Sequence, residues 1–308
     1  MPGHAGLSFG FTVTEPDGRE RLVIRLAPPG VRRSGNTDVL RQVPVLEAMN
    51  SAGVPVAPVL WSSDDPQWFG TDAYVQRFVA GRPLQQLDGV WQPGFGDPKP
   101  FLANQIAALA AIHGVDWRTA LPDWEPPRDP AAEIEHWRRL QPKMAEEHTQ
   151  AIAEQLAEAL HASIPHDGRF GVFHGDFHPT NVLFHDDATV SAVVDWEICG
   201  IGLQGLDIAW LSMMLDERCW SLAHGRGLQG SVDPHWLLET YEHASGRTLE
   251  NAAWYKAYSC YRFGVITGFN LRLHRTGKRH DPHWEEIGPS AEALLRRGLH
   301  LLAHPEDF

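Results

Sequence analysis

Apolar residues follow two rhythms along this chain. Over the first eighty residues they tend to alternate with polar ones, a period of two that predicts strands. Residues 7–14 and 21–26 read as two strands joined at Asp17-Gly18, a hairpin dipeptide. Val54-Pro55-Val56-Ala57-Pro58-Val59 leads into a further strand, and residues 73–81 read as the last of this set. One helix interrupts them, over residues 39–49, and Pro44 requires it to begin at Gln42 or Val43. From about residue 85 the rhythm becomes helical. A Gly/Pro-rich loop over 89–100 precedes a helix over 101–113, with Leu102, Ile106, Leu109 and Ile112 on one face. Residues 117–130 form a connector, and residues 131–161 predict two helices broken near Gln141-Pro142. Further helices are expected from Asp207 to Leu215, over 234–241 with Asp233 as N-cap and Pro234 at its first position, and over an aromatic-rich 254–274.

The central stretch, residues 171–210, follows neither rhythm for long. It holds three short apolar runs, over 171–174, 182–184 and 190–194, broken at Gly175 and at the turn Asp186-Asp187-Ala188-Thr189. Asp176 and Asn181 therefore sit on a loop ahead of a hairpin, and Asp195 sits just after it. The hairpin returns its two ends to the same edge. An amide oxygen and a carboxylate suit Mg²⁺, which takes oxygen ligands and leaves positions for phosphates. A second carboxylate five residues before the Asn suits an attacking hydroxyl, whose proton it accepts. The rival chemistry is a metallohydrolase built on His174, Asp176 and His178, which share a face if the segment is a strand. Gly175 and Pro179 argue against a strand there. Turn capping by Asp176 alone leaves the combined spacings unexplained.

The series His174-Gly175-Asp176…Asn181…Asp195, with Gly202…Asp207 beyond, resembles the aminoglycoside phosphotransferase and choline kinase-like family of the protein-kinase-like fold. Pro28-Pro29-Gly30 is similar to a loop in the subgroup resembling the kinase-like domain of acyl-CoA dehydrogenase family members. The resemblance implies an α+β fold, with a small β-rich N-terminal nucleotide-binding lobe over 1–84 and a larger, mainly helical catalytic and acceptor-binding lobe over 85–308. It implies ATP or GTP with Mg²⁺. Asp176 takes the place of the catalytic base, and Asn181 and Asp195 of the metal ligands. Arg25 stands where kinases put the phosphate-binding Lys, and Ser8 ends the Gly/Ser segment that would cover the phosphates. Arg77 and Val79 fall where backbone groups read the adenine edge. His174 and Asp207 take structural places, Asp207 by tethering amides of the catalytic loop. His178 and Glu197 are further candidates, beside the acceptor and the metal respectively. Gln42 departs from the family's Glu, which leaves Arg25 without its usual partner, Glu47 being one alternative. Gly202-Leu203-Gln204 departs from the common Gly-Asp-Pro. One strand fewer precedes Arg25 than the family has, so the start reads as truncated or as mis-assigned. The face near Arg272 and Arg275 is an alternative anion contact, the other aromatics of that helix read as core, and His113 reads as a satisfied core histidine.

Bulk properties narrow this little further. With 26 Lys and Arg against 39 Asp and Glu, the net charge of −13 argues against nucleic acid, whose binding rests on basic side chains. The acidic balance leans toward a cationic acceptor such as an aminoglycoside, and the subgroup toward other hydroxy compounds, including hydroxyacyl thioesters. No apolar run reaches eighteen residues, no signal peptide is read, and three scattered cysteines suggest a reducing, cytoplasmic setting without membrane association. The expected function is phosphoryl transfer from a nucleotide to a hydroxyl of a small molecule. The alternative is a nucleotide-binding protein without phosphotransfer.

Overall fold

The alternating start of the chain closes into an antiparallel sheet. In the computed structural model, which describes residues 6–16, 18–31, 33–87, 90–91, 96–166, 168–221 and 232–308, β1 (Leu7–Glu15) and β2 (Gly18–Leu26) pair along their full length. Asp17, at the expected turn, lies outside the described residues. β3 (Val59–Ser63) and β4 (Ala73–Arg77) complete the sheet in the order β1-β2-β4-β3. A 3₁₀ turn over Val39–Arg41 leads into helix α1 (Gln42–Ser51). Because α1 begins at Gln42, Pro44 falls in its first turn, where a missing N–H leaves no bond unmade. Val45, Leu46 and Met49 of α1 are buried in one core with Tyr74 of β4.

The rest of the chain is mainly helical. A two-residue strand β5 (Arg82–Pro83) comes first, followed by a small antiparallel pair, Gln86–Leu87 with Val90–Trp91, whose second strand falls inside the loop expected over 89–100. Helix α2 (Lys99–Gly114) is followed by a one-turn helix, Trp117–Ala120, in the expected connector, where Asp116 caps the Arg118 amide at 3.2 Å. α3 (Pro130–Arg138) and α4 (Glu147–Ala162) flank a break at Gln141–Lys143, as the proline predicts. Next come β6 (Phe170–Phe173), β7 (Val182–Phe184), β8 (Val190–Val193) and β9 (Gly200–Leu203). Helices α5 (Gly205–Leu215), α6 (Pro234–Ser245), α7 (Ala252–Arg275) and α8 (Ser290–Ala303) follow. α6 starts on the Asp233 cap, 3.0 Å from the His235 amide, and stops at Gly246, whose φ of 66° is left-handed.

Two cores hold this together. One runs from α1 and β4 through Phe184 and Trp196 to Leu109 and Ile112 of α2, so the sheet and the first helix after it share a single apolar interior. The other packs Leu156 and Leu160 of α4 against Tyr258 and Tyr261 of α7 and Leu295 of α8. The short strands contribute to both cores, Val182, Phe184 and Val193 to the first and Leu203 to the second. β7 pairs with β8 on one side and with β5 on the other, and β9 pairs with β6. Among the described residues, no helix is long and apolar enough to cross a membrane.

Candidate active site

The site forms where the two short sheets leave their loops. β6 ends at Phe173, and the chain turns at Gly175, whose φ is +84°. A Cβ there would come within 2.8 Å of the Ile198 carbonyl, so the tight turn requires glycine. His174 is fully buried. Its Nε2 bonds the Val194 carbonyl at 2.9 Å, and its Nδ1 lies 3.3 Å from the Asp176 amide. Burial pushes the His174 imidazole below its ordinary pKa. A neutral ring with Nε2–H donating and Nδ1 accepting satisfies both contacts. Both ring nitrogens face backbone, so His174 has none left for a metal. Residues 174–178 form a loop and not a strand, and no group of three or more His, Cys, Asp or Glu suited to a metal occurs among the described residues.

Asp207, one turn into α5 and fully buried, anchors this loop. Its Oδ2 accepts from the His174 amide and its Oδ1 from the Gly175 amide, both at 2.7 Å. His113 at the end of α2 completes the anchor, with Nε2 3.2 Å from Asp207 and Nδ1 2.7 Å from the Tyr241 hydroxyl.

Asp176 points out of the anchored loop. Asn181 Nδ2 donates to its carbonyl at 3.0 Å and to its Oδ2 at 3.1 Å. His178 Nε2 lies 3.3 Å from the same carboxylate, and the His178 Nδ1 lies 2.8 Å from the Thr180 hydroxyl. Burial opposes ionisation of Asp176. The hydrogen bond and charge of His178, with the charges of Arg262 and His174, outweigh it and hold the carboxyl down at about 2. Asp176 is therefore ionised at neutral pH.

Asp195 meets this loop from the far end of the hairpin. The Val194 amide donates to the Asn181 carbonyl at 2.9 Å, which sets the residue before Asp195 against Asn181. Asp195 itself adopts a left-handed φ of 66°, an uncommon conformation that Asp tolerates better than most residues. Its Oδ1 is 3.3 Å from Arg25 of β2, and Glu197 is 3.6 Å from the same guanidinium. Burial, followed by repulsion from Asp195, pushes the Glu197 carboxyl up to about 7, against the pull of Arg25. Carboxylates and an amide are hard oxygen donors, the set Mg²⁺ takes. Arg25 already supplies Asp195 with a positive counter-charge, and its buried Nε has no hydrogen-bond partner. An incoming phosphate would answer that unpaired donor.

Other sequence candidates lie elsewhere. Gln42 is buried, but it accepts from the Tyr74 hydroxyl at 3.2 Å, and Arg25 pairs instead with Asp195 and Glu197. Ser8 lies inside β1, opposite Arg25, and not on a turn ahead of the strand; residues 3–5 of that segment lie outside the described residues. The Arg77 amide is bonded to the Pro58 carbonyl at 2.9 Å and its side chain meets Glu20 at the surface, so only its carbonyl is left to read an adenine edge. Val79 follows in the irregular segment 78–81. Arg275 is paired with Glu146 and Glu285 on the exposed end of α7, which removes it as an anion contact.

A pocket of about 320 Å³ opens beside the loop, lined by Gly175, Glu197, Arg128, Arg262, Trp137 and Tyr258 among others. Arg262 donates to the Gly175 carbonyl at 2.8 Å and lies over the rings of Trp137 and Trp210. Sequence reading counted it with an aromatic core. Its signal was a cation directly after the buried run Tyr258–Tyr261. Arg41 and Arg128 were not singled out at all. Arg41 meets Glu125 and the carbonyls of Glu197 and Cys199, and Arg128 meets the Cys199 carbonyl at 2.6 Å.

Residues 2–242 match the model of the phosphotransferase enzyme family. Acyl-CoA dehydrogenase family member 11 of Gallus gallus is 27% identical over 303 residues, covering 92% of this chain and 38% of that protein. The chain thus spans less than two-fifths of that relative's length. A solved structure described as a putative aminoglycoside phosphotransferase from Ralstonia eutropha superposes with a TM-score of 0.79 at 23% identity, over 97% of this chain and 91% of that one. A thermostable mutant of an aminoglycoside phosphotransferase, in ternary complex with AMP-PNP and hygromycin B, superposes at 0.60 with 18% identity, over 97% and 92%. The small sheet lobe and larger helical part are those of the protein-kinase-like fold, and the chain belongs to the phosphotransferase enzyme family.

Proposed function

We propose that the chain transfers the γ-phosphoryl group of ATP or GTP to a hydroxyl of a small molecule. The observation that carries this reading is that one hairpin brings the Asp176–Asn181 loop against the Arg25–Asp195 pair: the Val194 amide bonds the Asn181 carbonyl at 2.9 Å, and Asp195 lies 3.3 Å from Arg25. Phosphoryl transfer asks little covalent chemistry of the protein and much positioning. Asp176 orients the acceptor hydroxyl and takes its proton. A carboxylate at about 2 is a weak base, so the proton moves late, once bond formation to phosphorus has made the attacking hydroxyl acidic. Arg25 steadies the nucleotide phosphates through the donor that has no partner. Asn181 and Asp195 hold Mg²⁺, which supplies charge neutralisation at the phosphates. His178 fixes the Asp176 carboxylate. Val79 and the Arg77 carbonyl face the base. On this reading residues 1–84 hold the nucleotide, residues 85–308 the acceptor, and the protein works in the cytoplasm.

The test is Asp176→Asn. Nucleotide turnover with an acceptor from a hydroxyl-compound screen is expected to fall about 10²–10⁴-fold, the worth of one general base. Calorimetric binding of ATP with Mg²⁺ is expected to persist. Near-wild-type turnover in this variant would end the assignment. The Gln42–Tyr74 contact favours a second reading, in which the chain binds nucleotide without transferring phosphate. Metal-dependent binding with no turnover across the whole screen selects it.

A further inference from the structure

The pocket beside the Asp176 loop does not share the acidic balance of the chain: its walls hold Arg41, Arg128 and Arg262 against Glu133, Glu197 and Asp207. Three of these already have partners. Arg41 pairs with Glu125, and Glu197 lies 3.6 Å from Arg25. Asp207 is satisfied by two loop amides and His113. Three charges remain: Arg128, Arg262 and, opposing them, Glu133. Arg262 is anchored on the Gly175 carbonyl and acts on Asp176 next to it. Arg128 has no carboxylate within ion-pair distance among the described residues. Its guanidinium rests 4.9 Å from the Phe173 ring and donates to the Cys199 carbonyl. β9 is shaped around it, since a Cβ at Gly200 would come within 2.7–2.8 Å of three Arg128 side-chain atoms. The backbone therefore leaves room for this cation at the pocket wall.

The remaining walls are aromatic and aliphatic: Phe173, Trp137, Trp254, Tyr258, Leu203 and Leu206. At about 320 Å³ the pocket lies at the small end of ligand sites. A guanidinium with donors left over matches a carboxylate or phosphate in a way an ammonium does not.

Resting on the phosphotransfer reading, we infer that the acceptor is a compact hydroxy compound with an apolar body and an oxyanion, carboxylate or phosphate, bound by Arg128 with Arg262. The net charge of −13 belongs to the surface as a whole. It does not describe this pocket, so a cationic acceptor is disfavoured. Arg262 ties the oxyanion subsite to the Asp176 loop, and the acceptor hydroxyl then reaches Asp176 from the pocket side.

The test uses matched compounds on one phenyl-bearing skeleton: a hydroxy acid, its phosphate-monoester analogue, the neutral diol and the amino alcohol. Binding is read from the fluorescence of Trp137 and Trp254 without nucleotide, and turnover from nucleotide consumption. The better oxyanion is expected to bind about 10- to 100-fold tighter than the diol, the range for a hydrogen bond to a charged group, with the amino alcohol weakest. Arg128→Met is expected to remove that preference, weakening oxyanion binding far more than diol binding, and Arg128→Lys to restore part of it. A thermal melt of each variant is the folding control. Equal binding of diol and oxyanions, or a preference for oxyanions that survives Arg128→Met, overturns the inference. So does tighter binding of the amino alcohol. Arg128-dependent oxyanion binding without turnover would leave the inference standing and count against phosphotransfer alone.

Discussion

At the scale of single residues, Asp207 shows how much of the site depends on a group remote from the chemistry. Its two oxygens satisfy consecutive amides of the turn that presents Asp176. Those amides are buried, and a buried donor without a partner costs about 1–3 kcal/mol. Asp207→Ala is therefore expected to lower stability by roughly 3 kcal/mol and to reduce turnover together with it. Asp207→Asn keeps one acceptor and is expected to fall between the two. Urea unfolding of the three proteins measures this. An alanine variant as stable as wild type would mean that the turn holds itself. Asp176 and Asp207 were both legible in the sequence because their spacing from neighbouring residues is fixed. Arg128 was not, since its role comes from Gly200, 72 positions later, leaving space above a strand. Ser8 was misjudged because two nearby glycines suggested a turn where the register with β2 continues a strand.

At the scale of elements, α1 is tied to the segment after Asp195 by one arginine. Arg41, just before α1, bonds both oxygens of Glu125 and the carbonyls of Glu197 and Cys199. The Trp124 indole N–H donates to the Arg41 carbonyl at 2.9 Å, and the guanidinium lies 5.2 Å from that ring. One side chain thus joins the first lobe, the connector after α2 and the loop after Asp195. Only a planar fork with five donors fills all these acceptors. Arg41→Lys is expected to lose about 2 kcal/mol in urea unfolding, less than a fully buried pair because Glu125 keeps contact with water, and to weaken nucleotide binding. Lysine performing as well as arginine would refute the fork argument. The helices were readable from sequence where a cap or a proline marks them, as at Asp233, Pro44 and Gln141-Pro142. The clasp was not, because no periodicity records which loop a helix end will meet. The antiparallel pair of Gln86–Leu87 with Val90–Trp91 was missed for a related reason: strands of two residues are too short to show alternation.

At the scale of the whole molecule, one buried carboxylate gathers the ends of three helices. Asp216 follows α5 and is 2% exposed. Its oxygens meet Lys256 of α7 at 2.7 Å, Arg218 at 2.8 Å and Arg297 of α8 at 3.7 Å. Arg218 also donates to the Phe308 carbonyl at 3.1 Å, and Lys256 lies 4.7 Å from the Phe308 ring, so the last residue closes the group. Lys256 is fully buried, and Asp216 is the counter-charge that its burial demands. Burial raises the Asp216 carboxyl, but Arg218 and Lys256 outweigh it and bring it down to about 2 from an ordinary 3.8. A carboxyl depressed by folding contributes stability above its ordinary pKa and loses it as pH falls through the folded value. This group therefore contributes fully at pH 5 and above, and its contribution, roughly 2 kcal/mol from the size of the shift, disappears between about pH 4 and 2. Asp216→Asn keeps the shape and removes the charge. The variant is expected to be less stable than wild type by that amount at pH 7 and to converge with it near pH 2. Urea midpoints across this range measure the difference. A gap that stays constant from pH 7 to pH 2 would mean that Asp216 acts through shape and hydrogen bonding, and that the three cations do not depend on its charge.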